Sequence, residues 1–188
     1  MPHLAFAAPR EVIDERPSDF VDALSVEPGL TVDMIYFGAD NFVGRPIAGY
    51  AENRCLLLRA AANALKKAQA RLVREAERRG KKYTLLLRDC YRPQKATEDF
   101  LGWVQDGQDL KQKEKFYPEI EKSEIVESGY LSAFSAHSRG ATVDLTIGER
   151  SAGGAIVALD MGSPLDFFGP VSKTNSVEVD AAETETLK

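Results

Sequence analysis

The segment KKYTLLLRDCYRP, residues 81–93, restricts the fold of this chain more than any other. Its apolar residues follow one another almost without interruption, whereas a strand with one face in water alternates apolar and polar residues. The segment therefore predicts a strand that is buried on both faces, so other elements must cover both sides of its sheet. Pro93 ends the segment and suits the first turn of a following helix.

Helical patterns flank this strand on both sides. Over residues 53–79, small and apolar residues recur every three or four positions and form one stripe. The stripe consists of Leu58, Ala61, Leu65, Ala68, Leu72 and Ala76. Gly80 fits the position just past the end of this helix, where a left-handed backbone is common. A second helix is predicted over residues 94–105, with Phe100 and Trp103 among its inward-facing residues.

Two further strands complete the pattern. A short one is predicted around residues 31–36 and a longer one over residues 141–147, whereas the charged segment 106–124 is predicted to lie at the surface. Helices and strands in this order indicate an α+β fold. We expect residues 1–188 to form a single domain, in which a long helix packs on a small, mainly antiparallel sheet.

Charge and composition exclude several classes of partner. The formal net charge of −5 gives no basic field that would attract nucleic acid or an anionic membrane. No apolar run approaches the roughly 20 residues that span a bilayer, and the first residues lack the basic start of a signal peptide. We therefore predict a cytoplasmic protein with reduced thiols at Cys55 and Cys90. The alternative is a periplasmic protein that has lost its signal peptide and carries one disulfide.

The segment SAHSRGATVD, residues 135–144, contains one of only two histidines in the chain. In the predicted strand Val143 and Leu145 alternate onto one face, so Asp144 points to the other. A buried, unpaired aspartate is costly, so Asp144 requires a cation or hydrogen-bond donors. His137, in the loop before the strand, can supply a second ligand, and imidazole with carboxylate is typical of zinc sites. The alternative is a loop histidine and a strand aspartate that never meet.

Arg92 follows the buried strand and precedes Pro93, a position that favours extended backbone. Its side chain is therefore expected to leave the end of the strand, where an arginine can bind a carboxylate through two parallel hydrogen bonds. The alternative is an arginine at a helix entry that pairs with Asp89 or Asp99. Ser135 is either a hydrogen-bond partner of a substrate or a turn residue.

Six sequence blocks occur in a fixed order along the chain. They are DNFVG (40–44), GY (49–50), RDCYRP (88–93), FYP (116–118), SAHSRGATVDLT (135–146) and MGSPLDFF (161–168). In order and spacing they resemble the D-alanyl-D-alanine dipeptidases, zinc peptidases known from vancomycin resistance and from recycling of D-Ala-D-Ala in other bacteria. The resemblance covers about residues 20–168 and is far more specific than any single block. It implies zinc-dependent hydrolysis of the cell-wall dipeptide D-Ala-D-Ala to free D-alanine.

The resemblance also implies roles for individual residues. His137 and Asp144 match two ligands of a zinc ion, bound as one Zn²⁺ per chain. Arg92 matches the group that stabilises developing charge or binds the substrate. Cys90 is a departure, since a small residue such as glycine is usual at this position.

The two ends of the substrate have their own matching residues. Ser135 matches the serine that binds the C-terminal carboxylate, whereas Asp166 and Tyr36 match positions that hold the free amino terminus. Without the resemblance, each of these three residues is more often structural. A small dipeptide partner with one charge at each end suits such a site, and longer peptides are excluded. The sequence leaves the oligomeric state open, a homo-oligomer included.

One expected segment is missing from the sequence to Lys188. Such dipeptidases carry a Glu-x-x-His segment near their C-terminus, which supplies the general base and a third zinc ligand. We expect the sequence to be a piece of a longer protein. One alternative is a catalytically inactive homologue that binds D-amino-acid cell-wall peptides. Another is a related zinc D,D- or L,D-carboxypeptidase.

Overall fold

A computed structural model describes residues 19–173 of the chain. The strands in chain order are β1 (Phe20–Asp22), β2 (Thr31–Val32), β3 (Leu56–Leu58), β4 (Tyr83–Asp89), β5 (Asp144–Arg150) and β6 (Ile156–Ala158). The helices are α1 (Ala23–Val26), α2 (Arg59–Arg78), α3 (Gln94–Gln105) and α4 (Lys113–Phe116). Short 3₁₀ helices lie at Lys122–Glu124, Ala136–Arg139 and Pro170–Ser172. The predicted α+β class, with one long helix and a partly antiparallel sheet, is confirmed.

The main sheet has four strands in the order β2-β4-β5-β6. The central strand β4 pairs in parallel with β2 and antiparallel with β5, and most of its residues are buried, as predicted for this apolar segment. The β4–β5 register shifts between Leu87 and Asp89. Because of this irregularity, Asp89 and Asp144 become partners at the end of the ladder. The sheet thus brings two carboxylates to one edge.

Helix α2 packs on β4 and begins later than predicted. The residues before it form β3, because Leu56–Leu58 pair with the distant strand β1. The helix ends as predicted, with Gly80 at φ +67°. Its buried face departs from the predicted stripe, because Gln69 is buried. The Gln69 side-chain oxygen accepts a hydrogen bond from Leu85 N (2.8 Å), and its side-chain nitrogen donates to Gly29 O (3.2 Å).

Segment 106–124 is only partly a surface segment. Phe116 and Tyr117 belong to the aromatic core under α3, and Lys122 is buried. The Lys122 ammonium donates to two backbone carbonyls and lies 4.1 Å from the centre of the Trp103 ring. The surface prediction is therefore wrong for these residues, whose partners include residues outside the segment.

The prediction of reduced thiols is also wrong. Cys55 and Cys90 form a disulfide with a Cα–Cα distance of 5.3 Å, and both residues are fully buried. Cys55 directly precedes β3 and Cys90 directly follows β4, and Tyr91 N donates to Leu56 O (3.0 Å) between these strands. This backbone contact brings the two cysteines within bonding range.

No helix within residues 19–173 is long and apolar enough to cross a bilayer. The prediction about a signal peptide concerns the first residues of the chain, which lie outside the described part.

Candidate metal centre

His137 lies in the short 3₁₀ helix Ala136–Arg139, close to the end of β4. The helix begins with Ser135, whose Oγ accepts the His137 backbone N–H at 3.3 Å, and ends at Gly140 with φ +69°. A Cβ at Gly140 would come within 2.2 Å of Phe20 Cζ, so the helix can approach β1 only with glycine there. The Ser135 cap and the glycine at position 140 therefore fix the position of the His137 backbone.

The His137 ring bridges a backbone carbonyl and a carboxylate. Its Nδ1 lies 2.8 Å from Cys90 O, so Nδ1 carries the proton and donates it to this carbonyl. The other ring nitrogen, Nε2, lies 3.4 Å from Asp144 Oδ1. Burial by itself would lower the pKa of His137, but the Asp144 carboxylate raises it above its ordinary value. The structure thus brings His137 and Asp144 together, and the alternative in which they never meet is wrong.

Asp89 is the third acidic or imidazole group of this cluster. One ligand atom from each of Asp89, His137 and Asp144 can be chosen so that all lie within 4.8 Å of one another. Asp89 is fully buried, however, and its oxygens already have four donors. Oδ1 accepts from Tyr50 Oη (2.7 Å) and Cys90 N (2.9 Å), and Oδ2 accepts from Arg92 Nε (2.9 Å) and Nη2 (2.7 Å). These bonds leave Asp89 poorly placed to hold a metal ion.

Arg92 lies between the two carboxylates at the sheet edge. It pairs with Asp89 and not with Asp99, which instead binds Arg45 through both oxygens at 2.7 Å. The Arg92 side chain is only 12% exposed, and its Nη2 lies 3.7 Å from Asp144 Oδ2. Its guanidinium carbon is 5.2 Å from the centre of the Tyr36 ring. Arg92 therefore supplies a fixed positive charge beside Asp144.

Tyr36 and Asp166 form a second polar pair at the site. The Tyr36 hydroxyl donates to Asp166 Oδ2 at 2.7 Å, and Asp166 has a left-handed backbone with φ +56°. Burial raises the pKa of Asp166 to about 6, and the nearby negative charge of Asp144 acts in the same direction. Asp166 also lines an open cleft of about 900 Å³ along the sheet, together with Arg88 and Thr146.

Sequence reasoning missed three parts of this arrangement. The sequence suggests Asp89 only as a partner of Arg92, it gives Tyr50 no role beyond the GY block, and it gives no role to the Cys90 carbonyl. Asp89 is the last residue of the strand, one position after the apolar run and Arg88, and a carboxylate at the end of a buried strand is the signal that could have found it. Ser135 is half-buried and caps the helix of His137, which is a structural role. This role is compatible with the predicted role of Ser135 in substrate binding.

Comparison with known proteins identifies relatives of this chain. A family model described as D-ala-D-ala dipeptidase matches residues 16–187. The chain is similar to a D-alanyl-D-alanine dipeptidase of Streptomyces coelicolor, with 41% identity over 164 residues, which are 87% of this chain and 76% of the relative. A protein of the same name from Enterococcus faecalis is 39% identical over 160 residues, 85% of this chain and 75% of the relative.

Proposed function

This chain belongs to the D-alanyl-D-alanine dipeptidase family, a family of peptidases, and on that premise we propose that it hydrolyses D-Ala-D-Ala to free D-alanine with one zinc ion. The observation that carries the proposal is the pairing of His137 Nε2 with Asp144 Oδ1 at 3.4 Å. Two ligands of a tetrahedral zinc ion lie about 3.3 Å apart when both bonds are about 2.0–2.1 Å long. The two residues therefore fit zinc.

The surroundings of His137 support the same assignment. Metal-binding histidines usually donate their other ring N–H to a carbonyl or carboxylate, and Nδ1 of His137 does so to Cys90 O. When bound here, zinc would polarise the scissile carbonyl and activate a water molecule for attack. His137 and Asp144 would hold the ion, and both reach it from rigid backbone.

Arg92 would stabilise the negative charge that develops on the carbonyl oxygen. Nε and Nη2 of Arg92 donate hydrogen bonds to Asp89, whereas Nη1 of Arg92 makes no hydrogen bond among the described residues. Because the side chain is pinned by Asp89 and nearly buried, this donor needs little reorganisation during the reaction. Arg92 is thus a fixed oxyanion-binding group beside the metal ligands.

The substrate ends would be recognised by opposite charges. Asp166, with Tyr36 as its donor, would bind the free ammonium group of the dipeptide. Ser135, next to the helix of His137, would donate its hydroxyl to the C-terminal carboxylate. A peptide blocked at its amino terminus would leave the half-buried Asp166 carboxylate without a positive partner, so such peptides would bind poorly.

The proposed zinc site also needs a general base and a third protein ligand for the ion. Asp89 is the one further carboxylate close to both proposed ligands among residues 19–173, and its four donors argue against either role. We therefore place both functions in a Glu-x-x-His segment of the kind that the family carries. Residues 1–188 would belong to the same peptidase domain.

The proposed location also depends on the cysteines. The cytoplasmic prediction rested on the lack of a signal-peptide pattern and on reduced thiols, and the Cys55–Cys90 bond removes the second of these supports. Disulfides of this kind form and persist mainly in oxidising compartments. We therefore favour the periplasmic alternative.

The proposal is tested by measuring D-alanine release from D-Ala-D-Ala and from its N-acetyl derivative. Protein depleted of metal should be inactive and should regain activity with Zn²⁺, and only the free dipeptide should be cleaved. The variant His137→Ala should neither retain zinc nor regain activity. Binding of the dipeptide without hydrolysis would indicate a binding protein, and cleavage of the acetylated peptide would indicate a carboxypeptidase. Either result would overturn the proposal.

A further inference from the structure

Cys90 is the residue through which the disulfide reaches the candidate metal centre. Its carbonyl accepts the Nδ1–H of His137 at 2.8 Å, and its N–H donates to Asp89 at 2.9 Å. Asp89 in turn holds both Nε and Nη2 of Arg92. The backbone of one cysteine thus contacts a proposed zinc ligand and the carboxylate that orients the proposed oxyanion-binding group.

Within residues 19–173, the backbone of residues 90–92 makes few other hydrogen bonds, one of which Arg92 O accepts from Ser138 Oγ at 2.9 Å. The pairing of β4 with β5 ends at Asp89, and residues 90–92 belong to no helix or strand. Tyr91 N donates to Leu56 O at 3.0 Å, and Arg92 N donates to His137 O at a long 3.4 Å. The second of these bonds connects residue 92 to His137 itself and cannot position it independently. A covalent bond to the body of the fold therefore matters more here than inside a strand.

Cys55 supplies that connection. It lies directly before β3, its carbonyl accepts from Ala23 N at 2.9 Å, and β3 pairs with β1. Both cysteines are fully buried in the core cluster that also contains Leu57 and Leu87. Cys55 is therefore anchored from both sides, and the disulfide transfers this rigidity to Cys90.

We propose that the Cys55–Cys90 disulfide is a positioning device for the metal centre. By fixing the Cys90 carbonyl, it holds the His137 ring in the tautomer and orientation that aim Nε2 at Asp144. The inference rests on the proposed function, because it takes His137 and Asp144 as the ligands of the ion. It goes beyond that function in making metal affinity depend on the oxidation state of two residues that touch neither metal nor substrate.

The affinity for Zn²⁺ alone tests the proposal, measured by competition with a chromophoric chelator. The double variant Cys55→Ala/Cys90→Ala should bind Zn²⁺ about tenfold more weakly, the lower end of the effect of disturbing a ligand's supporting contacts. Leu72→Ala on α2 is the control, since it also removes core packing but lies outside the contacts of His137. It should lower the melting temperature and leave the Zn²⁺ affinity unchanged.

The tautomer of His137 gives a second readout that needs neither metal nor activity. Long-range ¹H–¹⁵N spectra of metal-free protein at alkaline pH report the tautomer of each histidine, and the signals that disappear in His137→Ala are those of His137. The disulfide form should show a single tautomer protonated at Nδ1, and the double variant a mixture. If the double variant fails to fold, wild-type protein reduced with a phosphine replaces it.

Unchanged Zn²⁺ affinity in the double variant, or one tautomer with and without the disulfide, would overturn the inference. Failure of the proposed function has a different signature. In that case the wild-type protein shows no dipeptide hydrolysis, whereas the His137 tautomer still responds to loss of the disulfide.

Discussion

Asp89 and Asp144 face each other at the end of the β4–β5 ladder, but their surroundings differ. The Asp89 side chain is fully buried and accepts four hydrogen bonds, whereas that of Asp144 is 39% exposed and lies 3.4 Å from His137 Nε2. The two residues therefore have different roles in the site. Asp89 positions Arg92, and Asp144 is available to hold a cation.

Replacement of Asp89 should lower the free energy of unfolding more than it lowers the affinity for the metal ion. In Asp89→Asn the buried Arg92 loses the nearer of its two carboxylate partners, and breaking such a buried pair costs about 3–5 kcal/mol. We expect a fall of about 3 kcal/mol in the free energy of unfolding, measured with urea, since the amide keeps the size of the side chain. Asp99→Asn is the matched control: its partner Arg45 is 42% exposed, so the loss should be smaller. Equal losses in the two variants would contradict the assignment.

Replacement of Arg92 by lysine should separate catalysis from folding. Lysine keeps a positive charge beside Asp89 but cannot hold that carboxylate and present a further planar donor at once. We expect kcat to fall by about a hundredfold, as for loss of one oxyanion-binding donor, with zinc content unchanged. Steady-state kinetics and metal analysis of the same preparation measure both quantities. Full activity of Arg92→Lys would show that Arg92 has no role in the transition state.

The pH dependence of kcat/KM should report the ionisation of Asp166. Burial raises its pKa to about 6, so the carboxylate that would bind the substrate ammonium is charged above pH 6 and neutral below it. Since kcat/KM reflects the free enzyme, it should fall about tenfold for each pH unit below 6. In Asp166→Asn this contribution should disappear and KM should rise at all pH values. A wild-type profile that stays flat from pH 7 to pH 5 would be inconsistent with this role.

The parts of the fold that the sequence predicts well are those with local causes. Strand β4 and helix α3 follow from an apolar run and from a proline at a helix start, and both lie where expected. Strand β3 was missed because Leu56–Leu58 become extended only by pairing with β1, which lies far away in the chain. The disulfide was missed for the same reason, since it depends on how β3 and β4 meet.

The candidate site was predictable to a similar extent. His137 and Asp144 stand close together in the sequence, so their meeting needs only a short loop before a strand. The role of Asp89 depends instead on donors from distant segments, namely Tyr50 and Arg92. No local pattern records such a network, and the structure is needed to see that the Asp89 carboxylate already has its hydrogen-bond donors.

Gly140 should be essential for placing His137. Alanine at this position would adopt an unfavourable φ of +69° and would bring its Cβ within 2.2 Å of Phe20 Cζ. The Phe20 ring packs edge-on against Tyr91 with centroids 5.0 Å apart, so it has little freedom to withdraw. We expect Gly140→Ala to lower the free energy of unfolding by about 1–2 kcal/mol for the left-handed backbone and by about 1–3 kcal/mol for the overpacking.

The variant Gly154→Ala separates the cost of the left-handed backbone from the cost of overpacking. Gly154, in the turn between β5 and β6, has φ +86°, and no atom of residues 19–173 lies within 4 Å of an added Cβ, so only the backbone cost should be seen there. Calorimetry of both variants, combined with Zn²⁺ titration, checks the expectation. Gly140→Ala should weaken Zn²⁺ binding because the Ala136–Arg139 helix must shift away from Phe20, whereas Gly154→Ala should not. Equal effects of the two substitutions on stability and Zn²⁺ affinity would show that the contact with Phe20 does not position the histidine.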